Sequence, residues 1–375
     1  MAHIKQFVSS HKSDDVLYEE LSKNFKIVKN DHTFMLRYKK NKQKTELERK
    51  TRGIILDKDT RDIICYPLEG KISLEDFKTK VDWKDIVIEE SIDGTLINMY
   101  YYNKKWRIST TSTLDGNCFW NSSRSFKDLF LETFKLYSPT MKHLHTHYTY
   151  SFILCHSESR NVTLYKTPRL YHILTRDLNT YNEINLNIGI PKPKILKLDD
   201  INHIHCNNYD DLWHYCSKLP FTREGIMLYN KKRQFRTKLK GKKHIIVKNI
   251  RGNHSNITYT LLDCMRSSKN SIKKLLRYYP EYTEQHKTLV TKIDLIKSEL
   301  LHIYTETKKL KNKQFRYTTK YKRAIKELHN QYIYLIKNYK PSIHKYKPCI
   351  NDKKVTHFVY KEINIPYMVY LLSTI

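Results

Sequence analysis

Two kinds of hydrophobic spacing divide this chain. Up to about residue 250 the apolar positions mostly alternate with polar ones, the period of a strand with one buried face. After a helix-like opening, Phe34–Tyr38 and Gly53–Asp57 read as short strands. From Ile86 an alternating run leads to Asp93-Gly94, resumes over Leu96–Tyr102, turns at Asn103-Lys104 and continues through Trp106–Thr110. This pattern predicts an antiparallel meander, with Asp93-Gly94 as a hairpin turn in which Gly94 supplies a positive φ. Further strands are expected at Tyr148–Leu154, Leu170–Thr175 and Gly225–Tyr229, with the proline-rich IPKPKILKL stretch from residue 190 as a connection. One segment here has helical spacing, FKDLFLETFKLY from Phe126, and is expected to pack on the sheet.

Past Asn253 the period changes. Leu289, Ile293, Ile296, Leu300 and Ile303 recur at steps of three and four, and so do Tyr321, Ile325, Leu328, Tyr332 and Leu335. Each set predicts an amphipathic helix. Ile257–Tyr278 reads as a third, stopped by Pro280, and Pro341 stops the last long one. The expected organisation is an α+β domain over 1–252 and an all-helical domain over 253–375.

Composition adds a partner. Across 375 residues Lys and Arg outnumber Asp and Glu by 69 to 38, a formal net charge of +31, and nearly half of that excess falls in the helical tail. A basic chain of this size points to polyanions such as nucleic acid. No run of about 18 apolar residues exists that would span a bilayer, and the opening MAHIKQFVSSHKSDD lacks the apolar core of a secretory signal. The expectation is a soluble cytoplasmic protein without membrane contact. Seven cysteines, an odd number without CxxC pairs, argue for reduced thiols rather than a disulfide framework.

Several short segments, taken in chain order, resemble the phage-type RNA ligases, within the superfamily of covalent nucleotidyltransferases, and the ligase-like proteins of large DNA viruses are similar in texture. The segments are Arg52-Gly53-Ile54-Ile55, the run Cys65–Lys71, Ser91-Ile92-Asp93-Gly94, the block Tyr150–Val162, Tyr171–Asp177 with Thr180 and Glu183, Arg223-Glu224-Gly225-Ile226-Met227, and Lys238-Leu239-Lys240. The resemblance implies a nucleotidyltransferase domain (an ATP-grasp-like ligase domain) built on antiparallel sheets, followed by a helical domain. It also implies that Arg52, Lys71, Gly94, Lys238 and Lys240 meet the nucleotide, that Asp93 supports adenylation and that Glu224 holds metal. ATP and Mg would be the cofactors of an active member.

The family hallmark is Lys-x-Asp-Gly, in which the lysine attacks the α-phosphate of ATP. This chain has Ser91 in that frame, with neither amine nor reach, which puts self-adenylation in question. Lys71, Lys84 and Lys104 are conceivable substitutes outside the frame. A second departure places Ser151 where a carboxylate is expected, and a third leaves Ile108–Ser112 without the lysine often found there.

In the tail, base and aromatic interleave from Lys313 to Arg323. Lys313, Arg316, Lys320 and Arg323 are candidate RNA contacts, while Tyr321, Ile325 and Leu328 are expected in the core. Two histidine groups, His143, His145 and His147 as strand neighbours, and His203, His205 and Cys206 with His214 and Cys216, lack the spacing of a zinc module, and no structural zinc is expected.

The reading is an RNA ligase-like protein that binds RNA ends and ATP for joining 3′-hydroxyl to 5′-phosphate. Its rivals are a catalytically inactive pseudo-ligase that binds RNA or nucleotide, a protein that seals already adenylated RNA, and a capping-type guanylyltransferase. Whether it is an enzyme, which RNA it takes, whether DNA is accepted and its oligomeric state are open at the level of sequence.

Overall fold

A computed structural model describes residues 2–11, 13–39, 45–137, 144–196, 208–341 and 347–374. His143, His203, His205 and Cys206 lie outside the described residues. The chain forms two compact units, Met1–Asn249 and Ile250–Ile375.

The first unit begins with helices α1 (Ala2–Ser10) and α2 (Asp14–Asn24), followed by β1 (Phe25–Lys29), β2 (Thr33–Tyr38), α3 (Glu46–Lys50), β3 (Ile55–Asp57) and β4 (Ile63–Cys65). These strands form a four-stranded antiparallel sheet, and Ile4, Val8, Leu17 and Leu21 of the two helices pack on Phe34, Leu36, Ile54 and Leu56. Next come α4 (Leu74–Lys80), β5 (Ile86–Ser91), β6 (Thr95–Tyr102), β7 (Lys105–Thr110), α5 (Phe126–Lys135), β8 (Tyr148–Cys155), β9 (Arg169–Asp177) and β10 (Glu183–Ile184). A five-stranded sheet runs β10-β9-β8-β6-β7. Its core face meets α5, where Leu129, Phe130 and Phe134 close over Ile97, Met99 and Phe152. The helix starts at Ser125, whose side chain and Asp128 cap each other reciprocally.

The unit closes with α6 (Tyr209–Lys218), β11 (Gly225–Asn230), β12 (Arg236–Lys240) and α7 (Lys242–Arg251). A three-stranded sheet runs β12-β11-β5, with Phe77 of α4 and Leu212 and Cys216 of α6 against Ile226, Leu228 and Leu239.

Two sequence expectations are corrected here. β5 and β6 are not hairpin partners: β5 pairs with β11 and β6 pairs with β7 and β8, so Asp93-Gly94 carries the chain from one sheet to another. The turn that does close a hairpin is Asn103-Lys104, with φ of 49° and 57°. The stretch at His145 and His147 is also a turn before β8, not a strand.

The second unit is helical among its described residues: α8 (Ile257–Ser267), α9 (Lys269–Tyr278), α10 (Thr283–Tyr304), α11 (Lys322–Lys337), α12 (Asp352–His357) and α13 (Ile365–Ser373). Leu289, Ile293, Ile296, Leu300 and Ile303 of α10 are all buried, as their spacing predicts, and so are Tyr321, Ile325 and Leu328. The helix expected over Ile257–Tyr278 is two. Ser268, extended at φ −168° and ψ 160°, ends the first, and its hydroxyl accepts the Ser271 amide to start the second. The α+β unit and the helical unit are the fold class that the hydrophobic pattern predicts. No described helix is long and apolar enough to cross a membrane.

Candidate functional site

Strand register assembles the site. β11 lies between β5 and β12, with Gly225 opposite Ser91 on one side and Lys240 on the other, and Met227 opposite Lys238. Glu224, the residue before β11, is thereby flanked from both neighbours, and it is buried. The Ser91 hydroxyl donates to Glu224 Oε2 at 2.7 Å. Lys238 Nζ reaches the same oxygen at 2.7 Å, and Lys240 Nζ reaches Oε1 at 2.9 Å. Two lysines at i and i+2 on one strand share a face, so both ammoniums arrive from the same side. Burial by itself pushes the Glu224 carboxyl up, but Lys238 and Lys240 outweigh it and hold the group well below the usual carboxylate range. Gly225 has a structural reason: at φ +141° a Cβ would come within 2.0 Å of the Leu239 carbonyl oxygen, so only glycine lets β12 approach this closely.

The sheet-to-sheet crossing supplies the second carboxylate. Asp93 is buried, and its Oδ2 accepts the backbone amides of Val162 at 2.9 Å and Thr163 at 2.7 Å. Gly94 is required by close approach, not by a positive φ: a Cβ there would lie 2.5 Å from both Ile153 Cγ2 and the Leu154 carbonyl oxygen. The other Asp93 oxygen, Oδ1, faces His244 Nε2 at 3.9 Å. His244 is fully buried on α7, and its Nδ1 lies 2.9 Å from the Phe221 carbonyl. A carbonyl only accepts, so Nδ1 carries the proton and Nε2, which has no hydrogen-bond partner, presents a lone pair toward Asp93. Burial pushes the His244 imidazole down, so the neutral form is favoured.

Ligand atoms of Asp93, Glu224 and His244 all lie within 4.8 Å of one another. Two carboxylates and one imidazole are a donor set that suits a divalent ion, and the unpartnered Nε2 fits that use. Around this group the fold gathers more cations. Lys71 is pushed below the usual lysine range, first by burial and then by the charges of Lys238, Lys240 and Arg52. Lys248, on α7, is pushed down by burial and then by Lys240, with Glu224 and Asp93 acting in the opposite sense.

Of the residues singled out from sequence, Ser91, Asp93, Gly94, Glu224, Lys238, Lys240, Lys71 and Arg52 thus converge on one place. Lys84 and Lys104 do not: the first precedes β5 at the end away from Ser91, and the second lies beyond Tyr102 at the far end of β6. Ser151 is buried in β8 and donates to Asn98 Oδ1 at 2.8 Å. His244 and Lys248 were missed, although KKHIIVKNIR repeats buried positions at steps of three and four.

In the helical unit, Lys313 and Arg316 sit in the connection after α10, not on a helix, and Arg316 Nη1 donates to the Lys313 carbonyl at 2.6 Å. Phe315 and Tyr317 stack with centroids 6.4 Å apart. Lys320 lies over the Tyr321 ring, and Arg323 pairs with Glu327 at 2.8 Å while covering Tyr367.

No protein-family model matches the chain. An immediate-early protein ICP-46 homolog of Invertebrate iridescent virus 3 is 25% identical over 292 residues, 71% of this chain and 62% of that protein. The RNA ligase of Rhodothermus phage RM378 is 31% identical over 100 residues, 24% of this chain and 23% of that one. The chain thus spans less than two thirds of either relative. Among solved structures, an archaeal ATP-dependent RNA ligase matches 76% of both chains at 10% identity and a TM-score of 0.45. Naegleria gruberi RNA ligase with PPi matches 43% of this chain and 50% of that one, at 9% identity and a TM-score of 0.33. The chain resembles the phage-type RNA ligases, in its own ordered motifs and in the segment that it shares with the Rhodothermus phage enzyme.

Proposed function

We propose that the protein is RNA ligase-like: it binds a nucleotide and RNA ends for joining a 3′-hydroxyl to a 5′-phosphate, with Ser91 unable to carry the adenylate. The observation that carries the reading is the buried carboxylate Glu224 clasped by Lys238 and Lys240 beside Asp93. These ammoniums, with Lys71 and Arg52 near them, exceed the carboxylates in charge, so the cluster favours a polyphosphate. Lys238 and Lys240 exchange part of their pairing to Glu224 for phosphate oxygens. Asp93, fixed by the Val162 and Thr163 amides, orients its free oxygen into the cluster.

Glu224 and Asp93 would offer carboxylate oxygens to a divalent ion such as Mg, which supplies charge neutralisation at the phosphates, and the His244 imidazole would add a ligand for a softer ion. The helical unit adds RNA affinity through Lys313, Arg316, Lys320 and Arg323, contacts that hold backbone without choosing sequence. In this reading the domains are 1–252 and 253–375, and the protein works in the cytoplasm, of a host cell if it is viral.

A second reading, the pseudo-ligase, is favoured by one contact: the Ser91 hydroxyl is spent on Glu224. It would leave a binding protein for RNA or nucleotide. The two separate in one assay. Wild-type protein with ATP, Mg and 5′-phosphorylated RNA, or with a 5′-adenylated RNA alone, is followed on a denaturing gel. Joined product from either donor supports the ligase reading. Salt-sensitive RNA binding with no product from either donor leaves the pseudo-ligase.

A further inference from the structure

Away from the Glu224 cluster, the first unit holds two cavities that the chemistry above does not use. One, of about 330 Å³, borders β7, the edge strand of the five-stranded sheet. In the register of the β6–β7 hairpin Tyr100 lies opposite Arg107 and Tyr102 opposite Lys105, so the two rings and the two cations share one face of the sheet. Tyr100, Tyr102 and Leu114 give the cavity an apolar floor, which continues into the core around Met35 and Ile55. Lys105, Arg107 and Lys127 give it a cationic rim, and Asp115 is the one carboxylate among the described lining residues. The Asp115 oxygens accept the Asn117 backbone amide at 3.0 Å and its side-chain amide at 2.9 Å, and the Tyr102 hydroxyl donates to Asp57 at 2.7 Å. None of the three rim cations has an ion pair among the described residues.

The other cavity, of about 440 Å³, borders β1, the edge strand of the four-stranded sheet. Tyr18 and Phe25 line it together with Lys26, Lys29 and Lys39, and no carboxylate is among its described lining residues. Lys29 Nζ stands 4.6 Å from the centroid of the Tyr18 ring. The two cavities are neighbours along the chain, because Lys29 lines one and Asn30 the other.

Both cavities thus repeat one composition, aromatic rings beside three cations. Rings stack on nucleobases and cations hold phosphates, so a single-stranded nucleic acid, which offers bases and phosphates in turn, matches two such sites in succession. A duplex keeps its bases inside and has none to insert. A free nucleotide would fill one cavity and leave the second without a role. We infer that the two cavities form one docking track for single-stranded RNA, with a base in each and backbone phosphates on Lys105, Arg107 and Lys127 and on Lys26, Lys29 and Lys39. The choice of RNA as the strand rests on the reading proposed above. β6 runs eight residues from the Asp93-Gly94 crossing to this hairpin, about 25 Å at the rise of a strand, so the track grips RNA at a distance from the phosphate cluster.

The test titrates the full chain with a single-stranded RNA and with a duplex of the same sequence, for wild type and for Lys105→Ala/Arg107→Ala, a change confined to two exposed side chains. The double variant should bind the single strand at least about fivefold more weakly, with a salt slope lower by about 1.4 for two lost phosphate contacts, and should bind the duplex within about twofold of wild type. A single-stranded RNA carrying a photoreactive uridine, located by mass spectrometry after crosslinking, is expected on the peptides that hold Tyr102 and Tyr18. Unchanged single-strand affinity in the double variant, an equal loss for the duplex, crosslinks absent from both peptides, or AMP that competes as well as the RNA overturns the track. Each of these spares the proposed function as long as wild type binds RNA. A wild type without salt-sensitive RNA affinity overturns both.

Discussion

At the scale of single residues, the account turns on Glu224. Its carboxylate is buried and satisfied by two ammoniums and a hydroxyl, so Glu224→Ala leaves two lysines crowded without a counter-charge. Breaking a buried pair in this way costs about 3 kcal/mol or more, and urea denaturation should show it as a lowered midpoint. The pH dependence follows from the depressed pKa of this carboxyl. Glu224 binds protons less readily in the native state than in the unfolded chain, so its contribution is complete above about pH 4.3 and is lost as pH falls below that value. His172 acts in the same sense at higher pH. Burial, with Lys192 nearby, pushes its imidazole down to about 4. Between that value and its ordinary 6.5 the unfolded chain binds the extra proton, so stability rises with pH across this window. Replacing His172 by Phe should flatten that part of a stability-against-pH curve, measured by thermal unfolding.

At the scale of elements, the β12-β11-β5 sheet and the crossing at Asp93-Gly94 position everything. Gly94→Ala would drive a Cβ to 2.5 Å from the Leu154 carbonyl oxygen. We expect Gly94→Ala to lose at least about 2 kcal/mol of stability, whereas Ala at Gly116, where contacts begin at 3.3 Å, meets mainly its backbone φ of +70°. Comparing the two by denaturation separates crowding from conformation.

These elements also show what local sequence can disclose. Alternation in Gly225–Tyr229 marks β11, and the step from Glu224 to Lys238 and Lys240 is visible as a carboxylate followed by a basic strand. Asp93-Gly94 was read as a hairpin because turn chemistry is local, whereas the choice of partner strand is not. β5 pairs with β11, and β6, besides its hairpin with β7, pairs with β8, each more than 50 residues away. Ser268 was passed over within Ile257–Tyr278 because apolar spacing continues across it and only the extended backbone shows the break. His244 and Lys248 lay hidden in a run of basic residues, where nothing but the folded position of α7 distinguishes one cation from the next. The helices past Pro341 went unread because they are short, six residues in α12 and nine in α13.

For the whole molecule, the governing quantity is charge. In the proposed reading the net +31 makes affinity for RNA an electrostatic matter, and the binding constant should fall linearly in log–log form with salt. Lys313→Ala should weaken binding to unrelated RNA sequences alike and lower the salt slope by about one. An unchanged slope would remove Lys313 from the RNA-facing surface. The measurement that bears most directly on the central claim is joining of a 5′-adenylated RNA to a 3′-hydroxyl acceptor, because it bypasses the lysine absent from the Ser91 frame and asks only whether the phosphate cluster works. Wild type is predicted to give joined product with release of AMP, and Lys238→Ala at least about 100-fold less at equal RNA saturation. No product from wild type, or an undiminished yield from Lys238→Ala, would contradict the account.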